Sequence, residues 1–120
     1  MTERNPELER LVEALEDIES AARDNLERSR QLQRRAAHLR KRLLAGDNLV
    51  ELVEREEPPR MVELLSANLA VLETTGAEFR AAEALALRAE GLTIEAIAAM
   101  FGVTRQRISA LLKQPAAVRR

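Results

Sequence analysis

Between Pro6 and Gly46 the chain contains neither glycine nor proline, and no other feature constrains its fold as much. A continuous helix over about 6–45 would be roughly 60 Å long at 1.5 Å per residue. Its start is well marked: Asn5 can cap, Pro6 suits the first helical position, and Glu7 suits the positive end of the helix. Within it, Leu8, Leu11, Leu15, Ile18, Ala22, Asn25, Ser29, Leu32, Ala36, Leu39 and Leu43 recur at alternating steps of three and four, and nine of these eleven positions are apolar. Such a narrow stripe is the pattern of a coiled-coil seam, not of a helix lying on a broad core. The expected dimerisation residues are therefore Leu8, Leu11, Leu15, Ile18, Ala22, Asn25, Leu32, Leu39 and Leu43.

The rest of the chain reads as short helices. Gly46, Asp47 and Asn48 stop the first helix and cap a second over about 48–57, which Pro58 and Pro59 halt. A third is expected over 59–74, ended by Thr74, Thr75 and Gly76, and a fourth over 79–90, closed by Gly91. Aromatic residues make up 2% of the sequence, so burial must come from Leu, Ala, Val, Ile and Met, the residues helix bundles favour. The expected fold is all-α: a long N-terminal coiled-coil-like helix, short connecting helices, and a C-terminal helix pair.

Composition excludes most catalytic chemistry. There is no cysteine and a single histidine, His38, so thiolate metal sites, cysteine nucleophiles and His-based triads are ruled out. No catalytic residue, metal site or cofactor is expected, and the acidic clusters, such as Glu54, Glu56 and Glu57, read as solvated helix faces. The longest uncharged runs fall far short of the roughly 20 apolar residues that span a bilayer. The charged start lacks an apolar export signal. A cytoplasmic, nucleoid-associated protein with no membrane partner is expected.

The net charge of −1 conceals blocks. Residues 1–27 carry nine acids against three Arg, residues 28–45 seven bases and no acid, residues 46–77 seven acids against two Arg, and residues 78–120 seven bases against four acids. Blocks of this kind point to nucleic-acid contact or to charge-matched pairing of protein surfaces. Two long helices paired antiparallel about Asn25 would set acidic half against basic half, with Glu7 near the partner's Arg42; a parallel pair would set Arg28, Arg35 and Arg42 in basic surroundings. Self-association is one way to cover the seam. The others are a hairpin within one chain, covered by Leu64–Leu72, and DNA phosphates along Arg28–Arg42.

After Gly91, the run from Leu92 to Lys113 implies two short helices, each begun by a threonine, Thr93 and Thr104, and joined at Gly102. Ala98 is small where two helices would cross, Gly102 lies where a turn needs positive φ, and Ile97, Phe101, Val103, Ile108 and Leu111 would form a small core. This is helix-turn-helix spacing. Phe101, Gly102, Val103, Thr104, Arg105, Gln106, Arg107 and Ile108 resemble, in that order, the DNA-binding region 4 of bacterial primary sigma factors, and the resemblance covers about residues 78–114. It implies that 94–101 cross the DNA backbone and that 105–113 enter the major groove, with Thr104, Arg105, Gln106, Ser109, Ala110 and Lys113 facing DNA. Thr93 and Arg107 complete the expected DNA-binding set. Arg105 and Arg107 stand in the first turn of their helix, where the dipole favours acids, which suggests that phosphates or bases supply their negative partners. The chain is too short for the other regions of a sigma factor, so a free-standing regulator is expected.

These readings divide the chain into a helical dimerisation or interaction region, 1–76, a DNA-binding domain, 77–114, and a basic tail, 115–120. The expected function is a sequence-specific, double-stranded-DNA-binding transcriptional regulator acting as a homodimer. The alternative is an adaptor whose long helix binds RNA polymerase, a sigma factor or another protein.

Overall fold

A computed structural model describes residues 5–115, and every regular element among them is a helix. The five are α1 (Pro6–Leu44), α2 (Leu49–Glu54), α3 (Met61–Ala89), α4 (Ile94–Phe101) and α5 (Arg105–Leu112). Of the expected basic tail only Pro115 falls within the described residues. No helix among them is long and apolar enough to cross a membrane.

Local chemistry explains where most of the helices begin. The Leu8 N–H donates to Asn5 Oδ1 at 2.8 Å, and the Glu51 N–H donates to Asn48 Oδ1 at 3.0 Å, satisfying helix-end donors that would otherwise lack partners. Glu7 and Glu9 in the first turn of α1, and Lys41 and Arg42 in its last, oppose the helix dipole. α2 is shorter than expected, ending at Glu54 with Arg55 as its cap. Two helices expected on either side of Gly76 prove to be one: α3 runs through Thr74, Thr75 and Gly76 without a break. Glycine in a helix interior costs only about 1 kcal/mol, a small penalty beside the burial of Ala81, Ala82, Ala84 and Ala86 just beyond it.

The chain forms two compact units, one of Met1–Ser20 with Glu73–Arg120 and the other of Ala21–Leu72. The division does not follow the 76/77 boundary read from the sequence, because α1 and α3 each contribute to both units.

In the unit of residues 21–72, α1 and α3 run antiparallel. Asn25 Nδ2 donates to the Asn68 carbonyl at 3.4 Å, Arg28 Nε to Asn68 Oδ1 at 2.6 Å, and Asn68 Nδ2 to Ser29 Oγ at 3.3 Å. Further along, Arg35 Nη1 donates to the backbone carbonyls of Glu57 and Pro59. Ascending positions on α1 thus meet descending positions on the returning chain. The covered stripe of α1 keeps Asn25, Leu32 and Leu39 of the expected seam but takes Ala21, Arg28 and Arg35 in place of Ala22, Ser29 and Ala36. Ala21 is buried, Asn25, Arg28, Leu32, Arg35 and Leu39 are half-buried, and Ala22 and Leu43 are exposed. Asn25, expected to set register between two chains, has its partners in its own: besides Asn68, it accepts a hydrogen bond from Arg28 Nη2 at 2.8 Å. The hairpin within one chain is the arrangement that forms here. At its end, α2 and the residues after it border a half-open cleft of about 630 Å³ whose lining includes Arg34, His38, Leu39, Leu52, Val53 and Met61.

In the other unit, Ala14 is buried and Leu8, Leu11 and Ile18 are half-buried, while Leu15 is exposed. Arg10 Nε donates to Glu78 Oε1 at 2.9 Å, a pair with only 15% and 16% of its side chains exposed. Arg10 also donates to the Pro115 carbonyl through Nη2 at 3.4 Å. The core of the C-terminal helices belongs to the same unit: Ala81, Ala84, Ile97, Ala98, Ile108 and Leu111 are buried together, with Leu87, Leu92, Ile94, Phe101 and Leu112 packed against them.

Candidate nucleic-acid interface

Two threonines and one glycine shape the helix pair. Thr93 Oγ1 accepts from the Ala96 N–H and Thr104 Oγ1 from the Arg107 N–H, each at 3.1 Å, so α4 and α5 start where the sequence marks them. Gly102 ends α4 with φ +68° and ψ 34°, the left-handed region that a side chain disfavours, and the Val103 N–H returns to the Ala98 carbonyl at 3.1 Å. A three-residue turn results. Ile97 and Ile108, one from each helix, are completely buried, and Ala98 is buried beside them. Val103, expected in this core, is instead exposed, because it sits in the turn itself and not on either helix face. With the end of α3, α4 and α5 make a three-helix unit.

Burial of Ile108 and Leu111 fixes which side of α5 faces outward. Arg105, Gln106, Ser109, Ala110 and Lys113 line a shallow concavity on the opposite side. Five of the eight residues expected to contact DNA are thereby gathered on one surface. Arg107 is exposed but lies one further step round the helix, outside the concavity. Thr93 and Thr104 stand at the helix starts; their oxygens accept the capping N–H groups, and each hydroxyl keeps its own hydrogen for an outside acceptor. Arg105 and Gln106 have forked ends suited to bidentate contact with guanine and adenine respectively.

One inference from the sequence needs correction. Arg105 does not lack a negative partner within the protein: its Nη2 lies 3.0 Å from Glu95 Oε1 in α4. No short-range spacing rule on one helix joins two residues ten apart across a turn, which is why the pair escapes sequence reading. Both side chains are more than half exposed, at 67% and 59%, so the pair is weak and open to exchange with a stronger acceptor. Arg10, which secures α1 to Glu78 and Pro115 in this unit, was likewise not anticipated.

An exposed, polar, cation-bearing helix carried on an apolar three-helix core defines a helix-turn-helix segment of the DNA-binding kind. Residues 76–117 match the family model of the homeodomain-like domain. The match covers this segment and leaves the N-terminal 75 residues outside it. No curated protein and no solved structure matches the chain.

Proposed function

We propose that the protein is a transcriptional regulator that reads double-stranded DNA in a sequence-specific manner as a homodimer, with α5 in the major groove and no catalytic activity. The observation that carries this reading is the gathering of Arg105, Gln106, Ser109, Ala110 and Lys113 on the outer side of α5. A helix of this width fits the major groove, and its side chains combine forked donors for base edges with a cation for phosphate. The homeodomain-like match is compatible with the likeness to sigma-factor region 4, since both place the last helix of the unit in the groove. Action on DNA implies residence with the nucleoid in the cytoplasm.

Selection of bound sequences from random duplex DNA tests the reading directly. A palindromic preference is the expected outcome, because a symmetric dimer reads two copies of one half-site. On the selected site, Arg105→Ala or Gln106→Ala should cost about 1–3 kcal/mol and relax preference at a single base position. Equal weakening on every sequence would reduce the residue to a phosphate contact and overturn its reading role. A second reading, an adaptor that brings another protein such as RNA polymerase or a sigma factor to DNA, draws support from the exposed leucines of α3, which offer a surface to any apolar partner.

A further inference from the structure

In the unit of residues 21–72, the positions one step beyond the covered stripe are apolar all along α3 and at half of the sites on α1. On α3 the half-buried or buried positions Met61, Leu64, Asn68 and Val71 are each followed by a large exposed one: Val62, Leu65, Leu69 and Leu72. Leu65 is 51% exposed and Leu69 71%. On α1, Ala21, Asn25 and Arg35 are followed by the exposed Ala22, Leu26 and Ala36, and Arg28, Leu32 and Leu39 by the exposed Ser29, Gln33 and Arg40. One step round a right-handed helix is about 100°, in the same rotational sense on both when each is viewed from its own N-terminus. Because the helices are antiparallel, those equal rotations bring both stripes to the same side of the hairpin. The opposite side carries Asp24, Glu27, Gln31 and Arg34 on α1 and Glu63, Ala67 and Ala70 on α3. One side of the hairpin thus carries the large apolar side chains of α3 beside Ala22, Leu26 and Ala36 of α1, and the other carries no large exposed apolar side chain.

We infer that a second copy of this chain packs on the Leu65–Leu69 side, so that α1 of each copy lies on α3 of the other. The inference rests on the homodimer reading above and names its surface and symmetry. Charge selects both the occupant and the arrangement. Between residues 21 and 45, eight Arg and Lys stand against Asp24 and Glu27; between residues 46 and 60, the five acids Asp47, Glu51, Glu54, Glu56 and Glu57 stand against Arg55 and Arg60, just ahead of α3. A two-fold axis parallel to the helices sets the basic α1 against the partner's α3 and the acidic segment around α2 that precedes it, and every neighbouring pair of helices is then antiparallel. A two-fold axis perpendicular to the helices would set α1 on α1 and bring two basic helices together. The surface is therefore complementary to itself in one orientation and repulsive in the other.

Sedimentation equilibrium of the full chain tests the surface. The native protein should sediment at twice 13.5 kDa, and Leu65→Glu with Leu69→Glu should halve that mass while leaving the far-ultraviolet circular dichroism unchanged, since both side chains are exposed in the single chain. A dimer that survives the double substitution would overturn the assigned surface and leave the homodimer reading standing; a native monomer would overturn both and favour the adaptor. Orientation is read by mixing two singly substituted chains, Ser29→Cys and Leu69→Cys, and oxidising them. Disulfides joining unlike chains are expected. Efficient Leu69→Cys self-linking, with none between unlike chains, would set α3 on α3 and overturn the arrangement.

Discussion

Arg105 has a partner in Glu95 and, on the proposed reading, a second in DNA, and the energies involved decide which prevails. Its contact with Glu95 is an exposed ion pair, worth under about 1 kcal/mol in water, whereas a bidentate guanine contact discriminates by about 1–3 kcal/mol. DNA should therefore displace Glu95. Glu95→Gln is expected to leave urea stability within about 1 kcal/mol of the native value and to strengthen DNA binding, because a competing carboxylate is removed beside the phosphates; weaker binding would mean that Glu95 orients Arg105 for reading. Gly102 illustrates a backbone requirement at the same scale. Nothing crowds a methyl group there, yet φ is +68°, so Gly102→Ala should cost about 1–2 kcal/mol through conformation alone, measurable by thermal unfolding.

The helices are set by packing as much as by local signals. Thr74, Thr75 and Gly76 look like a stop, but α3 continues through them because its inner stripe, from Leu64 through Glu78 to Ala82, is covered on both sides of the glycine. Gly76 is in helical conformation, and a methyl group there would meet only the mobile end of Arg80, at 3.2 Å. Gly76→Ala is accordingly expected to raise unfolding free energy by about 0.5–1 kcal/mol, as helix propensity dictates. A decrease would mean that the Arg80 guanidinium cannot give way. The contact between Arg10 and Glu78 works in the other direction: with so little of either side chain exposed, Arg10→Ala leaves a carboxylate poorly solvated and should destabilise by about 1–3 kcal/mol. The loss should appear in the DNA-binding unit as well, since α1 residues up to Ser20 belong to it.

For the whole molecule the net charge is a poor guide to behaviour. A chain of net charge −1 would not be expected to seek DNA, but residues 78–120 carry seven bases against four acids. Affinity should fall steeply as salt rises, and Lys113→Ala should reduce the slope of log affinity against log salt by about 1 per protomer, weakening all sequences alike. A slope unchanged by Lys113→Ala but flattened by neutralising Arg30, Arg34 and Arg40 would transfer the phosphate contact to α1. The same partition of charge that leaves the C-terminal segment basic also sets a basic α1 apart from the acidic segment around α2 in the other unit, so one charge pattern underlies both the proposed DNA contact and the proposed self-pairing.

Local chemistry determined much of this protein directly. Helix starts at Asn5, Asn48, Thr93 and Thr104, the turn at Gly102 and the outward side of α5 follow from residue types and spacings of three or four, interactions that the chain makes with its immediate neighbours. What the sequence left open was the partner of the α1 stripe, since a narrow apolar seam is equally satisfied by a second chain or by a later helix of the same one. Tertiary structure decided for α3, and small side chains explain the choice of face. Alanine at 14 and 21 leaves room for close cover, both residues being buried, which draws the covered face toward them and exposes Leu15 and Ala22 while Leu11, Ile18 and Leu32 stay half-covered. The continuity of α3 through Gly76 and the meeting of Glu95 with Arg105 were decided in the same way, by contacts between residues that only folding brings together.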